Sequence, residues 1–345
     1  MDNQRTPRSF STGGTVKRDN RQQQQKLVVI LICIVIALLL VVFMTIIGTK
    51  IVLALAGGFN NADPSAVQYQ DLTIDKSQTL YGPLALVNET HEYLFPSEAE
   101  TNLINIWGYR TSHTPEGKPS AYKTSYTTYV MDGAAHSAMH EWLTAFSQET
   151  GETFACVTSA YRTYQDQADL ALISPSAVTP GKSDHHTGYS VALKILDNEN
   201  VTLPLSSNET YNWLAQNAYK YGFVVRYPEG KENVTAISDY TNCFHYVGYA
   251  PAAYMHANNL CMEEFVAEIK SYSVDKPLEV TDANGQDWLI YYAACSGDFA
   301  TVKVPSNFTY TVSGDNEGGI IVCVSLSKTA AEQQQQGTES DTAAQ

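Results

Sequence analysis

Three short segments of the chain carry the side chains that are able to do chemistry, namely residues 159–165 (SAYRTYQ), 183–193 (SDHHTGYSVAL) and 240–248 (YTNCFHYVG). Imidazole nitrogens and cysteine thiolates are common zinc ligands, and the segments contain His185, Cys243 and His245. Residues two apart on an extended strand point to the same face, so Cys243 and His245 are able to act together. A hydrolytic zinc site needs about three protein ligands and one open position, so residues of these types are able to contribute to such a site.

The surrounding sequence predicts the elements that must position these segments. Apolar residues at helical spacing, followed by Gly151, predict a helix over residues 131–150. A strand is predicted at 154–158, and further helices at 163–173, 210–221 and 252–271. After Pro277 the pattern changes to short alternating runs separated by turn residues. The sequence therefore predicts an α+β domain over residues 81–272 and a small all-β module over 273–327.

An uncharged apolar run at residues 27–49 predicts a membrane anchor, because a helix needs about 20 apolar residues to cross a bilayer. The basic tail, residues 1–26, precedes it, so the positive-inside rule predicts a cytoplasmic N-terminus and extracellular C-terminal domains. A cleaved signal peptide is the alternative, since Ala54-Leu55-Ala56 resembles a cleavage site. The apolar run is longer than the usual 7 to 15 residues of such peptides, which favours a single-pass protein of the cell membrane.

The charge distribution is uneven. The formal net charge is −15, whereas residues 1–50 hold seven basic and two acidic side chains. This acidic balance argues against nucleic-acid binding, which requires a basic surface to neutralise phosphates. The polar stretch 50–80 predicts a linker, and the low-complexity tail 328–345 predicts disorder.

With these residues in view, the stretch 84–266 resembles the VanY-type family of zinc D-alanyl-D-alanine carboxypeptidases, which trim the stem peptides of bacterial peptidoglycan. That family carries S-G-Y-R-S-Y, S-E-H-x-T-G-x-A-x-D and E-P-W-H-x-R-Y-V-G in the three corresponding segments. The resemblance implies a VanY/hedgehog-like zinc carboxypeptidase fold, a zinc cofactor if the protein is active, and a peptidoglycan stem peptide as ligand.

Several family residues are replaced in this chain. The resemblance implies that His185 is the first zinc ligand, but the second ligand, Asp in the family, falls on Ala192. The third ligand, His in the family, falls on Cys243, the general-base Glu on Tyr240, and the family Arg on His245. These changes predict a catalytically impaired pseudoenzyme with no assigned catalytic residue. The alternative is an active zinc D,D-carboxypeptidase with a rearranged His185/Cys243/His245 site, so whether the protein is an enzyme stays open.

The resemblance also implies a substrate-binding role for Arg162 and Ser183. The family Arg pairs with the terminal carboxylate of the peptide, a planar contact that suits a guanidinium group. The competing interpretation is that Arg162 forms a structural ion pair with a buried acid.

Three functional hypotheses follow. The first is a carboxypeptidase-like domain that has lost hydrolysis and binds stem peptides or an envelope protein. The second is the active enzyme with altered ligands. The third places the interaction in the β module, where Cys295 and Cys323 are either a disulfide or two free thiols.

Overall fold

The computed structural model describes residues 67–97, 101–238 and 240–327. The predicted membrane anchor at 27–49 and the predicted disordered tail at 328–345 lie outside these ranges. Within the described residues, no helix combines the length and apolar character that crossing a membrane requires.

A mixed sheet forms the centre of the carboxypeptidase-like domain, with strand order β3-β5-β6-β9-β8 and β7 paired to β6. Its strands are β3 (Lys123–Thr124), β5 (Ala155–Ser159), β6 (Ser190–Leu196), β7 (Thr202–Leu203), β8 (Phe223–Val225) and β9 (Cys243–Tyr246). The β3–β5 pair is parallel and the other pairs are antiparallel. A separate two-stranded antiparallel sheet pairs β2 (Leu103–Asn105) with β4 (Val130–Asp132).

Seven α-helices accompany this sheet among the described residues. They are α1 (Ile106–Ser112), α2 (Gly133–Thr150), α3 (Tyr164–Ile173), α4 (Asn212–Asn217), α5 (Glu232–Thr235), α6 (Tyr249–Asn258) and α7 (Met262–Ile269). The helices predicted at 131–150 and 163–173 and the strand predicted at 154–158 are confirmed as α2, α3 and β5. The helix predicted at 210–221 is instead α4 between two 3₁₀ turns, Glu209–Tyr211 and Ala218–Tyr221.

The helix α2 supplies the main core of this domain. It begins at Asp132, whose side chain accepts a hydrogen bond from Ala134 N, and it ends at Gly151, which has φ 76°. Glycine suits that left-handed position because it has no Cβ. The buried ring of Trp142 lies 5.2 Å from Phe223 and 4.9 Å from Phe244, centroid to centroid, so α2 is packed directly onto β8 and β9.

The prediction of one helix over 252–271 is wrong, because the chain breaks between α6 and α7. Asn259 takes φ 52° and caps α6. Cys261 then begins α7, where its backbone N–H donates to Glu264 Oε2. Asn tolerates the left-handed conformation better than most residues do, which explains a turn inside an otherwise apolar periodic stretch.

The C-terminal β module contains a four-stranded antiparallel sheet in the order β10-β11-β14-β13. Its strands are β10 (Leu278–Thr281), β11 (Asp287–Ala294), β13 (Tyr310–Gly314) and β14 (Gly319–Ser325). Cys295 and Cys323 are both buried free thiols, so the disulfide alternative does not hold. Buried residues of α6 and α7 share a core with β10, β11 and β14, so the module is packed against the preceding domain.

The prediction of a linker over residues 50–80 is wrong for residues 69–80. Tyr69–Asp75 form strand β1, which pairs antiparallel with β12 (Phe299–Pro305), and a 3₁₀ turn follows at Lys76–Leu80. The strand has only one fully buried side chain, Ile74, so its sequence gave little sign of the pairing. The β module is therefore formed by chain segments that precede and follow the carboxypeptidase-like domain in sequence.

One buried histidine in α2 makes stability depend on pH. The side chain of His136 is buried, its Nε2 has no hydrogen-bond partner among the described residues, and burial lowers its pKa to about 4. The unfolded chain binds a proton near pH 6.5 while the folded chain does not, so the free energy of unfolding falls as the pH drops from 6.5 towards 4. A pKa of about 4 in place of 6.5 corresponds to about 3 kcal/mol.

We expect His136→Phe to flatten this dependence. Urea unfolding at pH 7.5 and at pH 4.5 measures it, and the difference between the two pH values should be smaller in the variant. An unchanged difference would show that His136 is protonated in the folded state or exposed to water.

Candidate functional site

The candidate site lies where the first residues of β6 pair antiparallel with β9. Ala192 of β6 faces Cys243 of β9 in the ladder, and Ser190 faces His245. His185 lies in the 3₁₀ turn Asp184–Thr187 just before β6. The following Gly188 has φ 79°, and a Cβ there would come within 3.3 Å of Leu103, so this turn into β6 depends on glycine.

His185 contacts two of the substituted family positions directly. Its Nε2 is 3.2 Å from the hydroxyl of Tyr240 and 3.9 Å from the sulfur of Cys243. Burial lowers the pKa of His185 to about 3, so the ring is neutral at pH 7 and its Nε2 is able to accept a hydrogen bond from Tyr240. Burial also raises the pKa of Tyr240 and of Cys243, which keeps a phenol and a thiol there.

His245 is not part of this cluster, contrary to the candidate His185/Cys243/His245 metal set. Its Nδ1 is 2.7 Å from Asp184 Oδ2 and its Nε2 is 2.9 Å from the carbonyl oxygen of Pro83. Both ring nitrogens are therefore held by protein groups. Among the described residues, no group of three or more His, Cys, Asp and Glu side chains is arranged to hold a metal ion.

A buried ionic network holds the second and third segments together, and the sequence analysis missed it. Asp184 accepts from Arg226 Nε at 2.9 Å, and Arg226 also donates to Glu263 Oε1 at 2.8 Å. Burial alone would raise the pKa of Asp184, but His245 and Arg226 together hold it well below its usual range. Asp184 precedes His185, and Arg226 belongs to the Arg-Tyr-Pro stretch that resembles the family. The sequence therefore contains both residues at recognisable positions, but it does not show that they contact each other.

Arg162 lies between β5 and α3 and is held by neutral partners. Ser159 Oγ accepts from Nε at 3.0 Å and from Nη2 at 2.8 Å, and Gln167 Oε1 accepts from Nη1 at 2.6 Å. None of the ion pairs formed by the described residues involves Arg162. The structural ion-pair interpretation therefore finds no support in this part of the chain. The hydroxyl of Tyr240 is a further neutral hydrogen-bond partner of Arg162.

A cavity of about 580 Å³ joins the residues of this site. It is lined by Arg162, Ser183, His185 and Tyr240 among others, so the predicted ligand-binding residues meet in one place. A second cavity of about 890 Å³ lies on the other side of Tyr240, and Tyr227 lines both. The two tyrosine rings are stacked with centroids 5.8 Å apart, so they form a common wall.

Comparison with known proteins identifies the family. Residues 129–249 match the family model described as VanY: D-alanyl-D-alanine carboxypeptidase. A D-alanyl-D-alanine carboxypeptidase of Enterococcus faecium is 28% identical over 265 residues, which cover 74% of this chain and 79% of that protein. The chain therefore contains a VanY-type domain at residues 129–249.

One further curated protein and one solved structure are similar to this chain. The putative carboxypeptidase YodJ of Bacillus subtilis (strain 168) is 28% identical over 211 residues, 57% of this chain and 72% of YodJ. The crystal structure of the vancomycin resistance D,D-dipeptidase VanXYg, in complex with a D-Ala-D-Ala phosphinate analogue, superposes with a TM-score of 0.63 at 22% identity and covers 75% of this chain and 99% of that one. The latter likeness shows a shared fold.

The described residues of this VanY-type domain do not fit the zinc that the family resemblance implies. Ala192 offers no donor atom where the family has Asp, and Cys243 is a neutral thiol because of its burial. The hydroxyl of Tyr240 already lies against His185 Nε2, the atom that the metal would need. His185 is the family ligand position that is kept, which falls short of the three protein ligands of a hydrolytic zinc site.

Proposed function

We propose that this protein is a membrane-anchored, extracytoplasmic member of the VanY-type family that binds peptides through their terminal carboxylate and no longer hydrolyses them. The observation that carries this proposal is the state of Arg162. It lines a cavity and forms no ion pair with any described residue, so its charge is available to a ligand carboxylate, whereas the neighbouring residues that would hydrolyse a peptide are substituted.

The electrostatics of the cavity support carboxylate binding. His185 is neutral, and Arg162 is the one charged side chain among the described residues that line the cavity. Charge-assisted hydrogen bonds from a guanidinium fork to a carboxylate are among the stronger polar contacts in proteins. Ser159 and Gln167 fix the fork before a ligand arrives, which lowers the entropy lost on binding.

The cell-envelope location rests on the sequence. The apolar run at 27–49 and its basic flank support an anchor with the folded domains outside the cell. In that compartment the ligands that carry free carboxylates include peptidoglycan stem peptides and the C-termini of envelope proteins. The relative in E. faecium carries the name D-alanyl-D-alanine carboxypeptidase, which supports a peptide ending in D-Ala-D-Ala as the first ligand to test.

We expect the full chain to bind diacetyl-Lys-D-Ala-D-Ala in its acid form and not its C-terminal amide. Arg162→Ala should weaken binding of the acid by roughly 10- to 100-fold, because hydrogen bonds to charged groups contribute about 1.5–3 kcal/mol. Isothermal titration calorimetry measures both, with Lys303→Ala, an exposed cation of the β module, as the matched control.

The same samples test for hydrolysis. Incubation with the acid form for hours should release no D-alanine, and elemental analysis after dialysis against trace zinc should find far less than one zinc per chain. D-alanine release by the unmodified protein would overturn the proposal and favour the active enzyme.

A further inference from the structure

The Arg162 cavity is lined by apolar and by neutral polar side chains. Apolar side chains from the region of α3 and from the segment after α5 line it, namely Leu170, Ala177, Val178, Ala236 and Ile237. The remaining described lining residues are serines, Gln167, His185 and the two wall tyrosines. Among the described residues, the lining therefore combines one cation, five apolar side chains and a set of neutral polar groups.

Exposed apolar side chains lie close in sequence to the lining residues on both sides of the cavity. On one side α3 ends in Leu172 and Ile173, whose exposed fractions are 85% and 82%. Ile173 follows Leu170 by three residues, so the two are neighbours on the helix surface, and the next residue, Ser174, lines the cavity. On the other side Val234 of α5 is 45% exposed and lies two residues before Ala236.

Two adjacent apolar side chains that are both largely exposed, such as Leu172 and Ile173, are uncommon on the surface of a soluble domain. Single exposed apolar residues need no explanation, but contiguous ones at a cavity mark binding sites in soluble domains. No carboxylate among the described lining residues is available to receive the ammonium group of a basic ligand residue.

The size of the cavity points in the same direction. A volume of about 580 Å³ falls within the range of about 300–1,000 Å³ that holds drug-sized ligands. A ligand ending in two alanines offers only two methyl groups to these walls, so most of the apolar surface would stay in contact with water. Bulky apolar side chains would cover it and gain about 25 cal/mol for each Å² removed from water.

We propose that the natural ligand of this site is the free C-terminus of a polypeptide whose last residues are bulky and apolar. This inference rests on the proposed function, because it places the terminal carboxylate on Arg162. The last side chain packs against Leu170 and Ile237, and the preceding one covers Ile173 at the rim. The partner is thus a protein C-terminus, and the stem peptide is the competing ligand.

Titration of three peptides into the full chain tests recognition of the carboxylate separately from the preference for bulky apolar side chains. They are acetyl-Ala-Leu-Phe as the acid, the same peptide as the C-terminal amide, and diacetyl-Lys-D-Ala-D-Ala as the acid. We expect the Leu-Phe acid to bind at least tenfold more tightly than the D-Ala-D-Ala acid, and the amide to bind at least tenfold more weakly than its acid.

Two variants test the contacts. Ile237→Ser and Ile173→Ser should each weaken binding of the Leu-Phe acid by roughly three- to tenfold, and each should weaken the Leu-Phe acid more than the D-Ala-D-Ala acid. Phe299→Ser is the matched control, because Phe299 is 65% exposed on β12 of the other module and should affect neither peptide.

The outcomes are distinguishable. If the amide binds as well as its acid, the carboxylate is not recognised and both this inference and the proposed function fail. If both acids bind and D-Ala-D-Ala is equal or better, the proposed function stands and this inference is overturned. If no peptide binds, both are overturned.

Discussion

Restoring three family residues, by Ala192→Asp, Cys243→His and Tyr240→Glu together, is expected to give the chain about one zinc ion and measurable release of D-alanine. The reason is geometric, because Ala192 and Cys243 face each other across β6 and β9 and His185 Nε2 lies 3.9 Å from the Cys243 sulfur. The substitutions supply two missing donor atoms and remove the hydroxyl that covers His185. Zinc would then polarise the peptide carbonyl as a Lewis acid.

Partial restorations make this prediction specific. Ala192→Asp alone should restore neither metal nor activity, because Tyr240 still covers His185 and no general base is present. Ala192→Asp with Cys243→His and an intact Tyr240 should be roughly 10²- to 10⁴-fold less active than the triple variant, which is the usual contribution of a positioned base. Elemental analysis and a D-alanine assay measure both quantities.

Two results would contradict this account of the site. Activity regained by Ala192→Asp alone would show that Tyr240 is not an obstacle. A triple variant that folds, as judged by its circular dichroism, but binds no zinc would show that the strands no longer hold the family geometry.

Asp184→Asn is expected to lower the free energy of unfolding by about 3–5 kcal/mol, the usual cost of removing one partner of a buried ion pair. Asp184 and Arg226 are both buried, so the variant leaves a guanidinium in the interior, and Glu263 is its remaining counter-charge among the described residues. His245 loses the carboxylate that orients its Nδ1 as well. Chemical denaturation at pH 7 measures the change.

The pH dependence of this difference is a second readout. His245 and Arg226 hold the pKa of Asp184 well below its usual range, so its stabilisation is present above the unfolded pKa of about 3.9 and is lost as the pH falls below that value. The gap between wild type and variant should therefore narrow in acid. Asp71→Asn removes an exposed ion pair with Lys303 and should leave the stability nearly unchanged. Equal effects of the two variants would show that the buried network adds nothing.

The sequence predicted the central fold well because its signals were local. Helical spacing ended by Gly151 located α2, and the three chemical segments were matched in an order that the sheet confirms by bringing His185, Ala192 and Cys243 together. Family matching also gave the substituted positions. These predictions need only the residue types and their order along the chain, and the sequence provides both.

The remaining features depend on contacts that no local pattern carries. His245 lies two residues from Cys243 on the same strand, yet Asp184 and Pro83 hold its ring in a different set of bonds. Such a choice depends on which distant group offers the better partner. The strand β1 was likewise assigned to the linker, because its exposed polar residues resemble a linker until the partner strand is known.

The pairing of β1 with β12 also sets an order of events during biosynthesis. Tyr69 faces Pro305, so 236 residues separate the first strand from the end of its partner. At about 5–20 residues per second, β1 waits roughly 10 to 50 s after its own synthesis before the ladder can close. An unpaired strand edge is where chains associate with one another, and Asp71 and Asp75 give this waiting strand a negative charge that opposes such association. The β module is thus completed only after the carboxypeptidase-like domain between its two parts has been made.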